Sequence, residues 1–537
     1  MSFWESCKLL IVPQSAHTEM IRAPLQRSSE VGDSSSSNTS VKEKKVSDPS
    51  SEEVIEVERE DQVIEVKNIK DTRKTSPIDW LIRLITRWGG TIYMFILMWL
   101  VTILWIIYGI LSKGSDQWQI SMQDGQSIQT YYWDTLLMRQ QLDDSAEFLR
   151  LFGVLNSRAT THLRLLEKIK THQRETLKMS DAELVANLKN EDAKFSDESR
   201  VVLKNESKYD VFCTKMAAGM GSLVSVVVFW CLVFVWIGCG ALKTATGDDD
   251  ENGNPIKKKF SDEWQMYVNT GVAVLLMISS IVLENIRLRN DLFIKQQIKD
   301  IITFDASIER LEREITGDYT PNEIISVVPL KRKGLKKVIS KYADIIGTGL
   351  GLLISVCVFV VWLAIGNVMG WSDNWWLIIG TYTGLIGFID GFVLREVYFS
   401  ITKYEEKDLT NVLQQSIDVL RAAGIDADIP EIRDKNTISF RVSKGINYVC
   451  SNQWSVVGSV IAVLALIIIA SGLKWSVTGQ LICNTPTMIV EEFFLLILLQ
   501  AHGWADTKRR RVMDQLRTSR ELVYKYVASV YKYSDLN

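Results

Sequence analysis

The chain has 537 residues and is nearly neutral, with 61 Lys and Arg against 64 Asp and Glu. Its charges are unevenly distributed, because eight stretches of 18 to 27 residues contain no Lys or Arg. Each stretch is long enough to cross a bilayer, which takes about 20 mostly apolar residues. This pattern excludes a soluble enzyme, and the near-neutral balance excludes a basic nucleic-acid-binding protein. The eight stretches are 88–111, 120–138, 216–240, 264–286, 343–369, 375–394, 454–471 and 483–503.

The distribution of basic residues predicts the orientation. If the N-terminus lies inside, the loops left outside hold only six of the 61 Lys and Arg residues. Basic residues concentrate on the cytoplasmic side of membrane proteins, so both termini are expected in the cytoplasm. The outside loops are then 112–119, 241–263, 370–374 and 472–482.

Three of the apolar stretches share a template. Gly90-Thr91 is followed fourteen residues after the Thr by Trp105 and then by Gly109, and a Ser-Asp-x-Trp motif ending at Trp118 comes next. Such internal periodicity indicates duplicated units. Gly221-Ser222 leads at the same spacing to Trp236 and Gly240, and Gly347-Thr348 leads likewise to Trp362 and Gly366. The closing motif follows Trp362 at the same distance and ends at Trp375, whereas the second copy has fifteen extra residues before Trp264.

A fourth copy opens at Gly458-Ser459, lacks the Trp, and keeps Asn484-Thr485 where the second copy has Asn269-Thr270. The pattern predicts one two-helix hairpin used four times in parallel, with a symmetry axis along the membrane normal.

The predicted fold is therefore an all-α polytopic membrane protein with eight transmembrane helices. These helices form four repeated hairpins, with amphipathic cytoplasmic helices between them. The Ser-, Lys- and Glu-rich start predicts a disordered tail. The predicted divisions are a tail (1–78), hairpin 1 (79–138), a cytoplasmic helical segment (139–215), hairpin 2 (216–286), a cytoplasmic segment (287–342), hairpin 3 (343–394), a cytoplasmic segment (395–453), hairpin 4 (454–503) and a cytoplasmic tail (504–537).

Acidic residues inside these basic-free stretches are the candidate functional groups. A charge at mid-bilayer costs at least about 2.5–3.5 kcal/mol, so such residues usually face an interior path. With no Lys or Arg beside them, the carboxylates need protons, amide partners or a passing cation. We therefore expect the second helices of the hairpins to line a central acidic pathway. The candidate metal-binding residues are Asp134, Asp390, Glu491, Glu492, Asp124 and Glu284.

A structural alternative remains for these acids: a protonated carboxyl group can bond one helix to another. This structural role is a stronger alternative for Asp124 and Asp344 than for the other acids. If the acids do bind metal, their oxygen ligands suit hard or borderline divalent ions such as ferrous iron, manganese, magnesium or calcium.

No enzyme signature accompanies the acids, since the sequence has no His-Glu-x-x-His, nucleophile elbow or Walker A motif. Cation movement would then be driven by an ion gradient or by the membrane potential, which supplies about 2.3 kcal/mol per charge per 100 mV.

The hairpins resemble the fungal low-affinity iron(II) permease family. The residues that carry the resemblance are Arg87-Trp88-Gly89-Gly90-Thr91, Phe260-Ser261-Asp262-Glu263-Trp264-Gln265, Asn269-Thr270-Gly271, Glu284-Asn285 and Arg289. This chain departs from the pattern with Gln123-Asp124 and Gly380-Thr381 where the second copy has Asn269-Thr270.

The resemblance implies a plasma-membrane protein that takes up ferrous iron with low affinity, and copper, zinc and manganese less selectively. Iron would be a substrate, so no cofactor is expected. The expected partners are divalent metal ions and the bilayer, with no nucleic acid, and homo-oligomerisation stays open. The alternative is a non-transporting membrane sensor or scaffold that acts through its cytoplasmic helices.

Overall fold

The computed structural model describes residues 18–26, 63–65, 84–85, 87–172, 207–242, 244–249, 255–426, 429–430, 432 and 438–535. Within these residues the chain is mostly helical. The helices are α1 (Ile92–Leu111), α2 (Asp116–His172), α3 (Lys208–Met220), α4 (Leu223–Cys239), α5 (Asp262–Thr316), α6 (Leu335–Ile346), α7 (Gly349–Gly366), α8 (Asp373–Ala422), α9 (Ile438–Cys450), α10 (Gln453–Gly472) and α11 (Val477–Asp535). The strands are β1 (Glu19–Arg22), β2 (Val63–Glu65), β3 (Thr244–Asp249), β4 (Pro255–Lys258) and β5 (Ile325–Val327).

Four long helices of 50 to 59 residues, α2, α5, α8 and α11, form the centre of the protein. They pack as a closed ring, in which α2 contacts α5 and α8 while α11 contacts the same two helices from the other side. At 1.5 Å per residue even the shortest is about 75 Å long. Each helix is thus more than twice the roughly 30 Å thickness of a hydrocarbon core.

Away from the apolar stretches, the C-terminal parts of the long helices pack through a second core. Its largest cluster joins all four long helices and includes Leu166, Ile308, Val419 and Tyr526, which are almost fully buried. The ring therefore continues as a packed bundle beyond the segments that are apolar enough for a bilayer.

The shorter apolar helices lie outside the ring. Only 17% of the apolar window of α1 and 22% of that of α10 is buried, against 56% for α5, 61% for α8 and 72% for α11. Apolar helices with such exposed side chains need an apolar environment. The outer helices are therefore suited to lipid and the inner helices to an interior.

Two helix pairs bend by about 65° at the Gly-Ser or Gly-Thr step of the repeat template, α3–α4 at Gly221 and α6–α7 at Gly347. A β-carbon on Gly221 would lie 2.9 Å from the carbonyl oxygen of Ala217 and 3.1 Å from the backbone nitrogen of Gln500. Glycine is needed there because no side chain fits between the two backbones.

Five described helices are long and apolar enough to cross a membrane, or seven if each bent pair is one span. The protein is therefore a multi-pass membrane protein. The remaining predicted span, 120–138, lies in α2, which does not meet this criterion. Its hydropathy is lowered by polar residues such as Gln123, Asp124 and Gln126, all of which are buried.

A short strand corrects part of the predicted disorder of residues 1–78. Strand β1 pairs antiparallel with β5 and parallel with β2. Ile21 and Ala23 are fully buried, and Glu19 forms an ion pair with Arg150 of α2 at 2.5 Å. Composition could not show this, because the strand depends on a partner about 300 residues away. Most of the predicted tail lies outside the described residues.

Candidate functional site

Stacked tryptophans join each of three outer helices to the long helix that follows it. The indole nitrogen of Trp105 donates to the carbonyl oxygen of Trp118 at 2.8 Å, and that of Trp118 donates back to Trp105 at 2.7 Å. Their rings stack with centroids 4.3 Å apart. Trp236 and Trp264, and Trp362 and Trp375, repeat this reciprocal arrangement.

The glycine of the template follows from this pairing. A β-carbon on Gly109 would collide with the indole of Trp118, so the ring can stack only over bare backbone. The three tryptophan pairs hold α2, α5 and α8 in place as they enter the ring.

A glycine stripe on α8 brings acidic and polar groups of its neighbours close to its backbone. Gly380, Gly384, Gly387 and Gly391 follow one another at intervals of four, three and four residues, which places them on one helical face. Oδ1 of Asp124 lies 2.5 Å from the position of a β-carbon on Gly380. Further along, Oε1 of Glu491 lies 2.8 Å from the β-carbon position of Gly387. The spacing of these glycines is visible in the sequence, but the polar side chains that lie against them are not.

A cavity of about 70 Å³ lies between the four long helices and brings together three of the six predicted residues, Asp134, Glu284 and Glu491. Each comes from a different helix: α2, α5 and α11. Its polar or charged lining residues are Thr130, Trp133, Asp134, Ser280, Glu284, Arg395 and Glu491.

Asp390 lies close to this group without lining the cavity. It is 1% exposed, and Oδ1 accepts a hydrogen bond of 2.6 Å from the hydroxyl of Tyr342. The next residue along α8, Gly391, lines the cavity. Sequence reasoning missed Tyr342, which lies in the segment 287–342 that was predicted to be cytoplasmic.

The adjacent acids Glu491 and Glu492 have different surroundings. Glu491 lines the cavity, whereas Oε1 of Glu492 accepts a hydrogen bond of 2.9 Å from Ser279 of α5. Successive residues on a helix point about 100° apart, so the two side chains cannot share one site. Asp124, the sixth predicted residue, lies nearer the start of its helix and is 3% exposed.

A buried arginine corrects the expectation that no fixed positive charge accompanies these acids. Arg395 is 3% exposed and lines the same cavity. Its guanidinium donates to the carbonyl oxygen of Phe494 and lies 4.3 Å from the centre of that ring. The basic-free stretch ends at residue 394, but α8 continues into the bundle, so the next side chain still lines the cavity with the acids.

The predicted residues do not form one compact metal site. In the part of the chain that the structure describes, no three His, Cys, Asp or Glu residues are grouped so as to hold a metal ion. The acids are instead distributed along the ring, with three in the cavity, two bonded to neighbouring side chains and Asp124 further out.

A second cavity of about 90 Å³ lies further along the same four helices. Its wall includes His502, which is 5% exposed and has Nδ1 3.1 Å from the hydroxyl of Tyr398. Its charged lining residues are Asp144, Arg287, Asp291, Glu405, Asp506 and Arg509. The two cavities succeed one another in the direction that runs from the apolar part of the ring to the charged part.

Comparison with known proteins shows the family. A family model described as low affinity iron permease matches residues 335–422 and 439–534. The low-affinity Fe(2+) transport protein of Saccharomyces cerevisiae is 45% identical over 465 residues, which cover 84% of this chain and 82% of that protein. The low-affinity iron/zinc ion transport protein of Schizosaccharomyces pombe is 39% identical over 466 residues, 86% of this chain and 76% of that protein. No solved structure matches.

These relatives confirm that the chain is not an enzyme and that iron is a substrate of the family rather than a cofactor. The protein belongs to the low-affinity iron permease family, as the resemblance of its hairpins predicted.

Proposed function

We propose that this protein takes up divalent transition-metal cations with low affinity, chiefly ferrous iron, along the axis of its four-helix ring. The observation that carries the proposal is the cavity between the long helices, in which Asp134, Glu284 and Glu491 meet. Zinc is the second expected substrate, since one relative is named for iron and zinc. Copper and manganese are further expected substrates, because oxygen ligands discriminate loosely among divalent ions.

The proposed architecture is eight spans in four parallel hairpins, with both termini in the cytoplasm and the protein in the plasma membrane. Helix α2 crosses the membrane despite its polarity, because its polar side chains lie within the ring. Gln123, Asp124 and Gln126 are each no more than 3% exposed, and α2 packs between α5 and α8. The predicted hairpin boundaries, such as 79–138 and 454–503, are part of this proposal.

The mixed charge of the cavity fits a low-affinity path. Two or three carboxylates alone would hold a divalent ion tightly at low dielectric, whereas the guanidinium of Arg395 opposes that attraction. An ion can then reach the cavity without being trapped in it. An inside-negative potential favours inward movement by about 4.6 kcal/mol per divalent ion at 100 mV, twice the value for one charge.

The test is uptake of radioactive ferrous iron in cells that lack their own iron uptake systems. We expect saturable uptake that excess zinc inhibits and that falls when the membrane potential is collapsed. If the protein reaches the cell surface in quantity and no saturable uptake follows, the proposal is wrong and the sensor or scaffold alternative gains support.

A further inference from the structure

A polar ring lies in the outer half of the bundle, at the position of Asn269 in each repeat. In the four repeats this position is occupied by Gln123, Asn269, Gly380 and Asn484. One lies on each of the long helices α2, α5, α8 and α11. In the sequence Asn484 matches Asn269, whereas Gln123 and Gly380 depart from that pattern.

Helical geometry places all four positions on the inner face of the ring. Seven residues make almost two turns, so residues i and i+7 share a face and lie about 10 Å apart along the axis. Seven residues beyond the four positions are Thr130, Leu276, Gly387 and Glu491, and all four line the cavity described above. The polar ring is therefore a second level of the same path, about 10 Å nearer the outer end.

The side chains at this level are buried and carry unused polar atoms. Asn269 is fully buried and Asn484 is 2% exposed. Neither polar atom of the Asn269 amide has a protein hydrogen-bond partner, and Oδ1 of Asn484 has none. An unpaired buried polar group destabilises the fold, so several such groups together indicate a ligand.

Asp124 supplies the charge at this level. Gly380 has no side chain, and Oδ1 of Asp124 lies 2.5 Å from its β-carbon position, while Nδ2 of Asn484 lies 3.8 Å from the same point. Asp124 is 3% exposed, and neither of its carboxylate oxygens has a hydrogen-bond partner among the described residues. Because Gly380 of the third repeat has no side chain, the carboxylate of Asp124 from the first repeat fits beside its backbone.

A further backbone oxygen lies on α11. Pro486 stands inside this helix and has no N–H, so the carbonyl oxygen of Ile482 lacks the donor that residue i+4 normally provides. Non-helical hydrogen bonding at membrane depth is tolerated where the backbone lines a polar cavity.

From this placement we propose that Asp124, Asn269, Asn484 and Gln123 form a cation-binding constriction that selects a partly dehydrated divalent ion before it reaches the cavity. Its oxygen ligands and single negative charge suit a hard or borderline divalent cation, and they offer nothing to a soft monovalent one. The proposal rests on the proposed transport function and adds the position at which metals are distinguished.

The experiment measures uptake of radioactive iron(II), zinc and manganese by Gly380→Ala and Asn484→Asp in the same cells, with surface abundance measured for each. Gly380→Ala puts a β-carbon where the Asp124 carboxylate lies, so iron uptake at low concentration should fall at least tenfold through a higher KM. Gly125→Ala is the matched control, because a β-carbon there meets no atom within 4 Å. It should leave KM within twofold of the wild-type value.

Asn484→Asp keeps the size of the side chain and adds a second carboxylate, so it tests the constriction even if Gly380→Ala fails to fold. We expect its KM to fall severalfold and the ratio of manganese to iron uptake to rise. If both variants reach the surface and retain the wild-type KM and metal ratios, the constriction does not contact the ion. Absence of uptake by the wild-type protein would instead remove the transport function itself.

Discussion

The hydroxyl of Tyr342 donates a 2.6 Å hydrogen bond to Oδ1 of Asp390, which connects the short helix α6 to the inner helix α8. The bond crosses from the amphipathic helix before a bend in the chain to a carboxyl group that is 1% exposed. One buried acid of the ring is therefore held by a side chain outside the basic-free stretches.

Replacing Tyr342 by Phe should leave Asp390 without its donor. Loss of a partner for a buried carboxyl group costs about 1–3 kcal/mol, so we expect the detergent-solubilised protein to unfold several degrees lower. Asp390→Asn is the matched control, because its amide oxygen can still accept from Tyr342. It should unfold closer to the wild-type temperature. Equal losses in the two variants would contradict the assigned role of the bond.

Replacing Trp236 by Phe tests the reciprocal tryptophan pairs. The change removes the indole nitrogen that donates to the carbonyl oxygen of Trp264 at 3.2 Å and weakens a stack with a 4.0 Å centroid distance. A hydrogen bond contributes about 1 kcal/mol and an aromatic pair about 0.5–1.5 kcal/mol. Surface abundance should therefore fall while KM for iron stays unchanged in the protein that remains.

Trp454→Phe provides the comparison for this variant, since Trp454 is 67% exposed. Its abundance should match that of the wild type. A loss as large as that caused by Trp236→Phe would show that the assay responds to any change of tryptophan.

Buried His162 gives the bundle beyond the membrane a pH dependence. Its Nδ1 lies 2.7 Å from Oε2 of Glu312, and its Nε2 lies 3.7 Å from Oδ1 of Asp305. Burial by itself lowers the pKa of His162, but these carboxylates outweigh burial and raise the pKa to about 9. Because the folded-state pKa exceeds the usual 6.5, the charged ring stabilises the fold fully below pH 6.5, and this contribution is lost as the pH rises through 9.

The measurement is the unfolding temperature of the detergent-solubilised protein between pH 6 and 9.5. We expect a decrease of several degrees across this range. His162→Gln should be less stable at pH 6 and should lose part of the slope. An identical pH profile for the variant would rule out His162 as its source.

The apolar stretches and the repeat template could be predicted from the sequence because both depend on local composition and spacing. Trp105 and Gly109, for example, recur at the same spacing as Trp236 and Gly240 and as Trp362 and Gly366. Around the ring the long helices follow one another in the order first, second, fourth and third repeat. This order depends on packing between distant segments, so no local feature of the sequence indicates it.

The six candidate acids were predicted to face an interior path, and the structure places them differently within the ring. Three line the cavity, Asp390 and Glu492 bond to neighbouring side chains, and Asp124 lies further out. Sequence periodicity alone could not separate them, since the groups that surround each acid come from other helices. Arg395 was missed for a related reason. A span boundary drawn at a basic residue assumes that this residue lies beyond the span, whereas Arg395 lines the cavity.

The adjacent pair Glu491 and Glu492 offers the most direct test of a path along the ring axis. Glu491 lines the cavity, whereas Glu492 bonds to Ser279, so the two Gln variants differ in position but match in chemistry. The measurement is the initial rate of iron(II) uptake per protein at the cell surface. Glu491→Gln should lower this rate at least tenfold, and Glu492→Gln should lower it less than threefold. Equal rates for the two variants, or a larger loss in Glu492→Gln, would contradict the account.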